Sequence, residues 1–291
     1  MDPLDQLGLR PLMHVTAGRP EVTVGLVDGP IRSDHPELAG TVIRHAATRR
    51  PCTCDRTESF ACVHGTFVAG IFAGRRGGTA PGICPDCTLV LAPLFGADEA
   101  LTGTTPAELA AAIVDCVQAG AHVVNLSLGT GAPSARGEKE LVDALDLAQR
   151  AGVIVVAASG NQGRVGGSAL TRHPGVIPVV ACDRQGRVMG LSNVSLMTGR
   201  RGLSAPGEQV VSLGVDGAPY TMDGTSVAAA LVSASIALLW STAPRAGAAE
   251  IVQAVLRVGA ARRRSIVPPL FDAGAAYGFL HGRSLPAASH G

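Results

Sequence analysis

Residues Val22–Gly29 read VTVGLVDG, an unbroken β-branched run that stops at Asp28-Gly29. No polar residue alternates with the apolar ones. Such a run suits a strand covered on both faces, as in a parallel sheet flanked by helices. Three further runs repeat the pattern: LVLAPL at Leu89–Leu94, HVVNL at His122–Leu126 and VIVVAA at Val153–Ala158. Amphipathic helical stretches lie between them. One spans Pro106–Ala119, with Pro at a first-turn position after Thr105, and one spans Glu138–Ala151, stopped by Gly152. Strand–helix alternation predicts an α/β fold of three layers: a mostly parallel central sheet with helices on both faces.

Ligands gather at the carboxyl ends of the strands in sheets of this type. Three of the runs end in polar residues followed or accompanied by glycine: Asp28-Gly29, Ser127-Leu128-Gly129 and Ser159-Gly160-Asn161. A site assembled along one sheet edge is therefore expected. The stretch Met222–Trp240, MDGTSVAAALVSASIALLW, adds a helix apolar on all sides and hence buried. It begins at Gly224-Thr225-Ser226. Thr225 or Ser226 as a plain N-cap is one reading. The other is a serine nucleophile at a helix N-terminus, where negative charge is favoured.

Serine catalysis needs a base, a carboxylate to orient it and donors for the developing oxyanion. His64 stands out among eight histidines because HGTFVAG opens a helix with small residues behind it. Asp28, at a buried strand end, is the carboxylate placed to meet it. His35, His122 and His173 read as packed or surface residues.

The order Asp28, His64, Ser226 is the order of subtilisin. Around these positions the chain resembles the subtilisin-like serine peptidases: VGLVDGPIRSDHPEL, HGTFVAGIFAG, VVNLSLG, VVAASGNQG and DGTSVAAALVSA stand in the family's order. The resemblance implies a subtilisin-like fold and peptide hydrolysis through an acyl-enzyme. Ser226 matches the nucleophile, His64 the base, and Asp28 the group that orients it. Asn161 matches the side-chain donor of the oxyanion hole. Ser127, Leu128 and Gly129 match one edge of the substrate cleft and Leu101–Gly103 the opposite edge, with Gly103 in the binding strand. The implied partner is a peptide or protein bound in extended form. Within the family, the Asp-Gly-Pro sequence and the compact histidine region resemble the leader-cleaving proteases of cyanobactin-type ribosomal peptide pathways. A general intracellular protease, and a silent fold that only binds peptides, are the alternatives.

Departures from the family pattern also carry expectations. The segment after HGTFVAG is short, so no cofactor and no calcium at the family's strong site is expected. No acidic residue lies between Asn161 and His173, where Arg164 and Arg172 stand, so a preference for Lys or Arg is not expected. Ala230 replaces a common proline.

The net charge of +1 gives no reason to expect nucleic acid or an anionic membrane as partner. The start, MDPLDQLGLRPLMHV, lacks a basic, then uninterrupted apolar, pattern, so neither a secretory signal nor a prosegment is expected, and the cytoplasm is the expected compartment. The Val227–Trp240 helix reads as too short to span a bilayer. Residues 1–20 are expected to pack as an extension on a catalytic domain over 21–281, with 282–291 as a disordered tail. Oligomeric state is not legible. Five of seven cysteines, Cys52, Cys54, Cys62, Cys84 and Cys87, fall close together. They leave open a zinc site or redox pair, a local disulfide, or free thiols. Cys116 and Cys182 read as core residues.

Overall fold

The computed structural model describes residues 1–47, 50–97, 104–127, 137–257 and 265–285. Seven strands form the central sheet: β1 (Thr23–Val27), β2 (Ile43–His45), β3 (Thr88–Leu91), β4 (Val123–Leu126), β5 (Ile154–Ala158), β6 (Val176–Cys182) and β7 (Leu203–Pro206). Their order is β2-β3-β1-β4-β5-β6-β7, and every neighbouring pair is parallel. A separate antiparallel hairpin joins β8 (Val210–Leu213) to β9 (Pro219–Met222). The Asp216-Gly217 turn between them supplies the positive φ, 93° at Gly217, that the reversal uses.

Helices in chain order are α1 (Pro3–Gln6), α2 (Leu9–Val15), α3 (Phe60–Ala73), α4 (Pro106–Gln118) and α5 (Glu138–Arg150). They continue with α6 (Ala169–Arg172), α7 (Leu196–Arg201), α8 (Thr225–Thr242), α9 (Ala248–Leu256) and α10 (Ala273–His281). Strand periodicity sorts the side chains into two cores. Val24, Leu26, Val123, Ile154 and Val156 point to the face covered by α3 and α8. Val27, Val124, Leu126, Val155 and Ala157 point to the face covered by α4 and α5. Both faces are dry, which is why the strand sequences show no polar alternation.

The central helix α8 is buried from Thr225 to Ser241. It has 18 residues and is apolar enough to cross a membrane by length and composition, longer than Val227–Trp240, yet 94% of it is buried inside the protein. Two of its hydroxyls turn back on their own helix: Ser235 donates to the Leu231 carbonyl (2.6 Å) and Ser241 to that of Ala237 (2.8 Å). The amino-terminal helix α2 packs on α8 and α10. Arg76 ties that segment down, donating to the carbonyls of Met13, Thr16, Gly82 and Ile83.

One expectation about a helix start needs correction. The helix bearing His64 begins at Phe60, four residues earlier than the HGTFVAG motif suggested, because Ser59 caps it by accepting from the Cys62 N–H at 3.3 Å. His64 therefore lies one turn inside α3.

Candidate active site

Asp28 is the first residue after β1, a central strand, where the chain leaves the sheet. It is 1% exposed and His64 is 5% exposed. The Asp28 Oδ1 accepts from His64 Nδ1 at 2.7 Å and from the Gly29 N–H at 2.7 Å. Two glycines make this contact possible. A Cβ on Gly29 would stand 2.2 Å from the Ala61 carbonyl oxygen, and one on Gly65 2.5 Å from that of Pro30. Helix α3 thus lies directly against the backbone leaving β1, and His64 reaches the carboxylate. The second carboxylate oxygen, Oδ2, is buried and accepts no hydrogen bond from a described residue.

Burial disfavours the His64 imidazolium, but the Asp28 charge and hydrogen bond outweigh it, and the His64 pKa lies above its ordinary value. A neutral His64 bonded through Nδ1–H leaves Nε2 as the acceptor, the tautomer that a general base needs.

Ser226 is the second residue of α8 and is 8% exposed. Neither Thr225 nor Ser226 caps the helix. The N-cap is Gly224, at φ 130°, with no side-chain cap bond. First-turn N–H groups therefore lack helical partners, and that of Ser226 is among them. The Thr225 N–H and hydroxyl both donate to Asn161 Oδ1, at 2.9 and 2.8 Å, and Thr225 Oγ1 accepts from the Gly160 N–H at 3.1 Å. This fixes which way the amide points. The Asn161 oxygen faces Thr225, and Nδ2 makes no hydrogen bond to another described residue. Nδ2 lies 3.0 Å from where a Cβ on Gly224 would sit, so glycine there keeps the amide face open.

A buried polar chain runs beneath α8. Ser233 donates to Asn125 Oδ1 (2.9 Å), Asn125 Nδ2 to Ser127 Oγ (2.6 Å), and Ser127 to the Ser226 carbonyl (3.5 Å). Ser127 is buried, and its side chain braces the serine-bearing turn. Asn125 and Ser233 are not singled out from the sequence above, and Thr225 is read there only as a candidate cap. Their signal was readable: a hydroxyl or an amide inside an otherwise apolar buried run must find a partner.

The structure thus joins Asp28 to His64, and Asn161 and Ser127 to the turn carrying Ser226. Leu128, Gly129 and Leu101–Gly103 lie outside the described residues.

The cysteines do not converge on one point. Cys54 and Cys62 form a disulfide across eight residues. Cys52, Cys84 and Cys87 are free and buried. The Cys84 thiol hydrogen-bonds the Cys87 sulfur and draws its pKa down, whereas burial pushes Cys84 itself up. Among the described residues no group of three or more His, Cys, Asp or Glu could hold a metal ion. Of the readings left open, the local disulfide holds for Cys54 and Cys62, Cys84 and Cys87 are a hydrogen-bonded pair of free thiols, and Cys52 is a free buried thiol. Cys116 and Cys182 are core residues whose thiols burial pushes up to about 12. His35 is packed and accepts from the Glu37 N–H, while His173 bonds Asp146 at 3.1 Å.

A parallel seven-stranded sheet with a carboxylate–imidazole pair at one strand exit and a serine-headed helix through its core defines the subtilisin-like class of α/β proteins. A profile of the subtilase family matches residues 19–278, and the chain belongs to that family. Subtilisin from Bacillus sp. (strain TA39) is 28% identical over 268 residues, which cover 81% of this chain and 60% of that protein. The chain thus spans about 60% of the length of that relative. Among solved structures, the protease domain of PatA is 31% identical with a TM-score of 0.82, covering 92% of this chain and 98% of that one. The prenylagaramide maturation protease PagA is 28% identical with a TM-score of 0.80, covering 94% and 99%.

Proposed function

We propose that the protein is a serine endopeptidase that removes a leader segment from a ribosomally made precursor peptide. The observation that carries the hydrolytic reading is the 2.7 Å hydrogen bond between buried Asp28 and His64. Ser226 Oγ attacks the scissile carbonyl carbon while His64 Nε2 takes its proton. Asp28 holds Nδ1–H and stabilises the imidazolium. The oxyanion is held by the Ser226 N–H and Asn161 Nδ2. Collapse breaks the C–N bond, and His64 returns the proton to the leaving amine. Water, deprotonated by His64, then releases the acid and restores the serine hydroxyl. The scheme uses only side chains, backbone donors and water.

The substrate class is supported by the kinship with PatA and with PagA, whose name is that of a maturation protease. An extended peptide beside Ser127 would gain affinity from main-chain hydrogen bonds, with little dependence on sequence.

Two measurements test the reading. A fluorophosphonate should label the intact protein at Ser226 and leave Ser226→Ala unlabelled. Mass spectrometry of a precursor peptide incubated with the protein should then show a single cut between leader and core. Equal absence of label on both proteins would leave a peptide-binding fold without hydrolysis. Labelling together with indiscriminate cutting of denatured proteins would replace leader removal by general proteolysis.

A further inference from the structure

Of the six phenylalanines, Phe67, Phe72, Phe95 and Phe271 are buried and Phe279 lies beneath the Arg257 guanidinium. Phe60 alone is exposed, at 56%. It opens α3, one turn ahead of His64, and the two ring centroids are 6.1 Å apart with planes tilted by 53°. The core does not require this ring, because Phe67 and Phe72 already anchor α3 to the hydrophobic cluster. Nor does it brace the carboxylate, which meets His64 at Nδ1.

The turn beneath Phe60 is held from two sides. The Ser59 hydroxyl accepts from the Cys62 N–H and donates to the Ala97 carbonyl. The Cys54–Cys62 disulfide pins the same turn to the preceding segment. An aromatic ring with two side-chain torsions, carried on a turn so constrained, presents apolar surface at little entropic cost. Its position gives that surface an occupant. A general base sits within hydrogen-bond reach of the atoms it serves, roughly 3 Å. Neighbouring substrate Cα atoms are about 3.8 Å apart. A ring 6.1 Å from the imidazole is therefore within reach of side chains one or two residues from the scissile bond.

We propose that Phe60 is a specificity-determining residue: its ring is the apolar wall on which a substrate side chain within two positions of the cut packs, so that a bulky apolar residue is preferred there. This rests on the peptidase reading above, and the experiment separates the two.

Peptides sharing one scissile bond are varied from Gly to Leu and Phe at each of the two positions on either side. The readout is the ratio of kcat/KM for the apolar peptide to that for its glycine counterpart. At one position wild type should favour the apolar peptide by about tenfold, mostly through KM. Phe60→Ala should bring the ratio below about threefold, and Phe60→Leu should keep most of it. Phe60→Gln, similar in reach but polar, should lose it and serves in place of an alanine variant that fails to fold. Val15→Ala, an exposed apolar change on α2, should keep the wild-type ratio. The proposal is overturned if Phe60→Ala or Phe60→Gln retains the wild-type ratio, or if wild type shows no apolar preference at any position. Failure of wild type to hydrolyse any peptide or activated ester overturns the peptidase reading and this proposal together.

Discussion

Replacing Gly29 by Ala tests the contact that brings the carboxylate and the imidazole together. The added Cβ would lie 2.2 Å from the Ala61 oxygen, 2.8 Å from its carbonyl carbon and 3.1 Å from its Cα. All three are helix backbone, so no side chain can swing aside. Relief to ordinary contact requires roughly 1 Å of separation between the exit of β1 and the first turn of α3. That turn is capped by Ser59 and cross-linked through Cys62, so it resists unwinding and moves as a body. His64 moves with it, and the 2.7 Å bond to Asp28 stretches beyond hydrogen-bond range. A displacement of about 1 Å at a catalytic group lowers turnover on the order of a hundredfold. Overpacking of this kind also destabilises by about 1–3 kcal/mol. The assay is hydrolysis of an activated acyl ester, normalised to active sites counted with fluorophosphonate, alongside a thermal unfolding curve. Gly77→Ala, where a Cβ meets nothing within 4 Å, is the control. A Gly29→Ala protein with turnover within about twofold of wild type and an unchanged unfolding midpoint would refute the argument.

Thr225→Val keeps the shape but removes the donor to Asn161 Oδ1 and the acceptor for Gly160 N–H. Only the bond to Asn161 orients its amide; at about 1 kcal/mol for that one hydrogen bond, kcat should fall roughly fivefold with KM steady, and steady-state kinetics check it. The acid limb of the pH–rate profile should lie above the ordinary histidine range, because Asp28 raises the His64 pKa. Asp28→Asn should move that limb down. The sign for stability is opposite to that for activity. A raised folded-state pKa contributes stability that is complete below the unfolded-state pKa and lost as pH rises through the folded one, which unfolding midpoints against pH will show. Reducing Cys54–Cys62 frees a loop closed over eight residues. The chain-entropy relation puts that at about 2.5 kcal/mol, read as a lower unfolding midpoint after reduction verified by mass.

How far the sequence discloses this arrangement depends on the range of the interactions. The strand at Thr23–Val27 and the helices at Pro106–Gln118 and Glu138–Arg150 were legible to within a residue or two, because burial on both faces and helix caps are written locally. The start of α3 was not. Phe60–Val63 carries no amphipathic period, and its cap works partly through Ala97, 38 residues away. The Asp28–His64 pair was legible only through its motifs, since 36 residues separate the two side chains. Pairing Cys54 with Cys62 rather than with Cys52 or Cys84 likewise depends on where α3 begins. The tether from Asn161 to Thr225 spans 64 residues and leaves no local trace except a threonine beside Ser226.

The two glycines also account for an oddity of the carboxylate. Where Asp28 is followed by Gly29-Pro30, a hydroxyl side chain could otherwise have donated to Oδ2. The 2.2 Å approach to the Ala61 oxygen admits no Cβ at that position, hence no hydroxyl. Pro30 adds no N–H either. The same close approach that delivers His64 to Oδ1 therefore leaves Oδ2 buried and without a donor among the described residues. A carboxylate with fewer hydrogen bonds keeps more of its charge for its one cationic partner. The Asp28–imidazolium attraction is correspondingly strong, and it is this attraction that carries the His64 pKa upward against the burial that lowers it. Backbone contact between α3 and the exit of β1 thus sets both the position of the base and its strength.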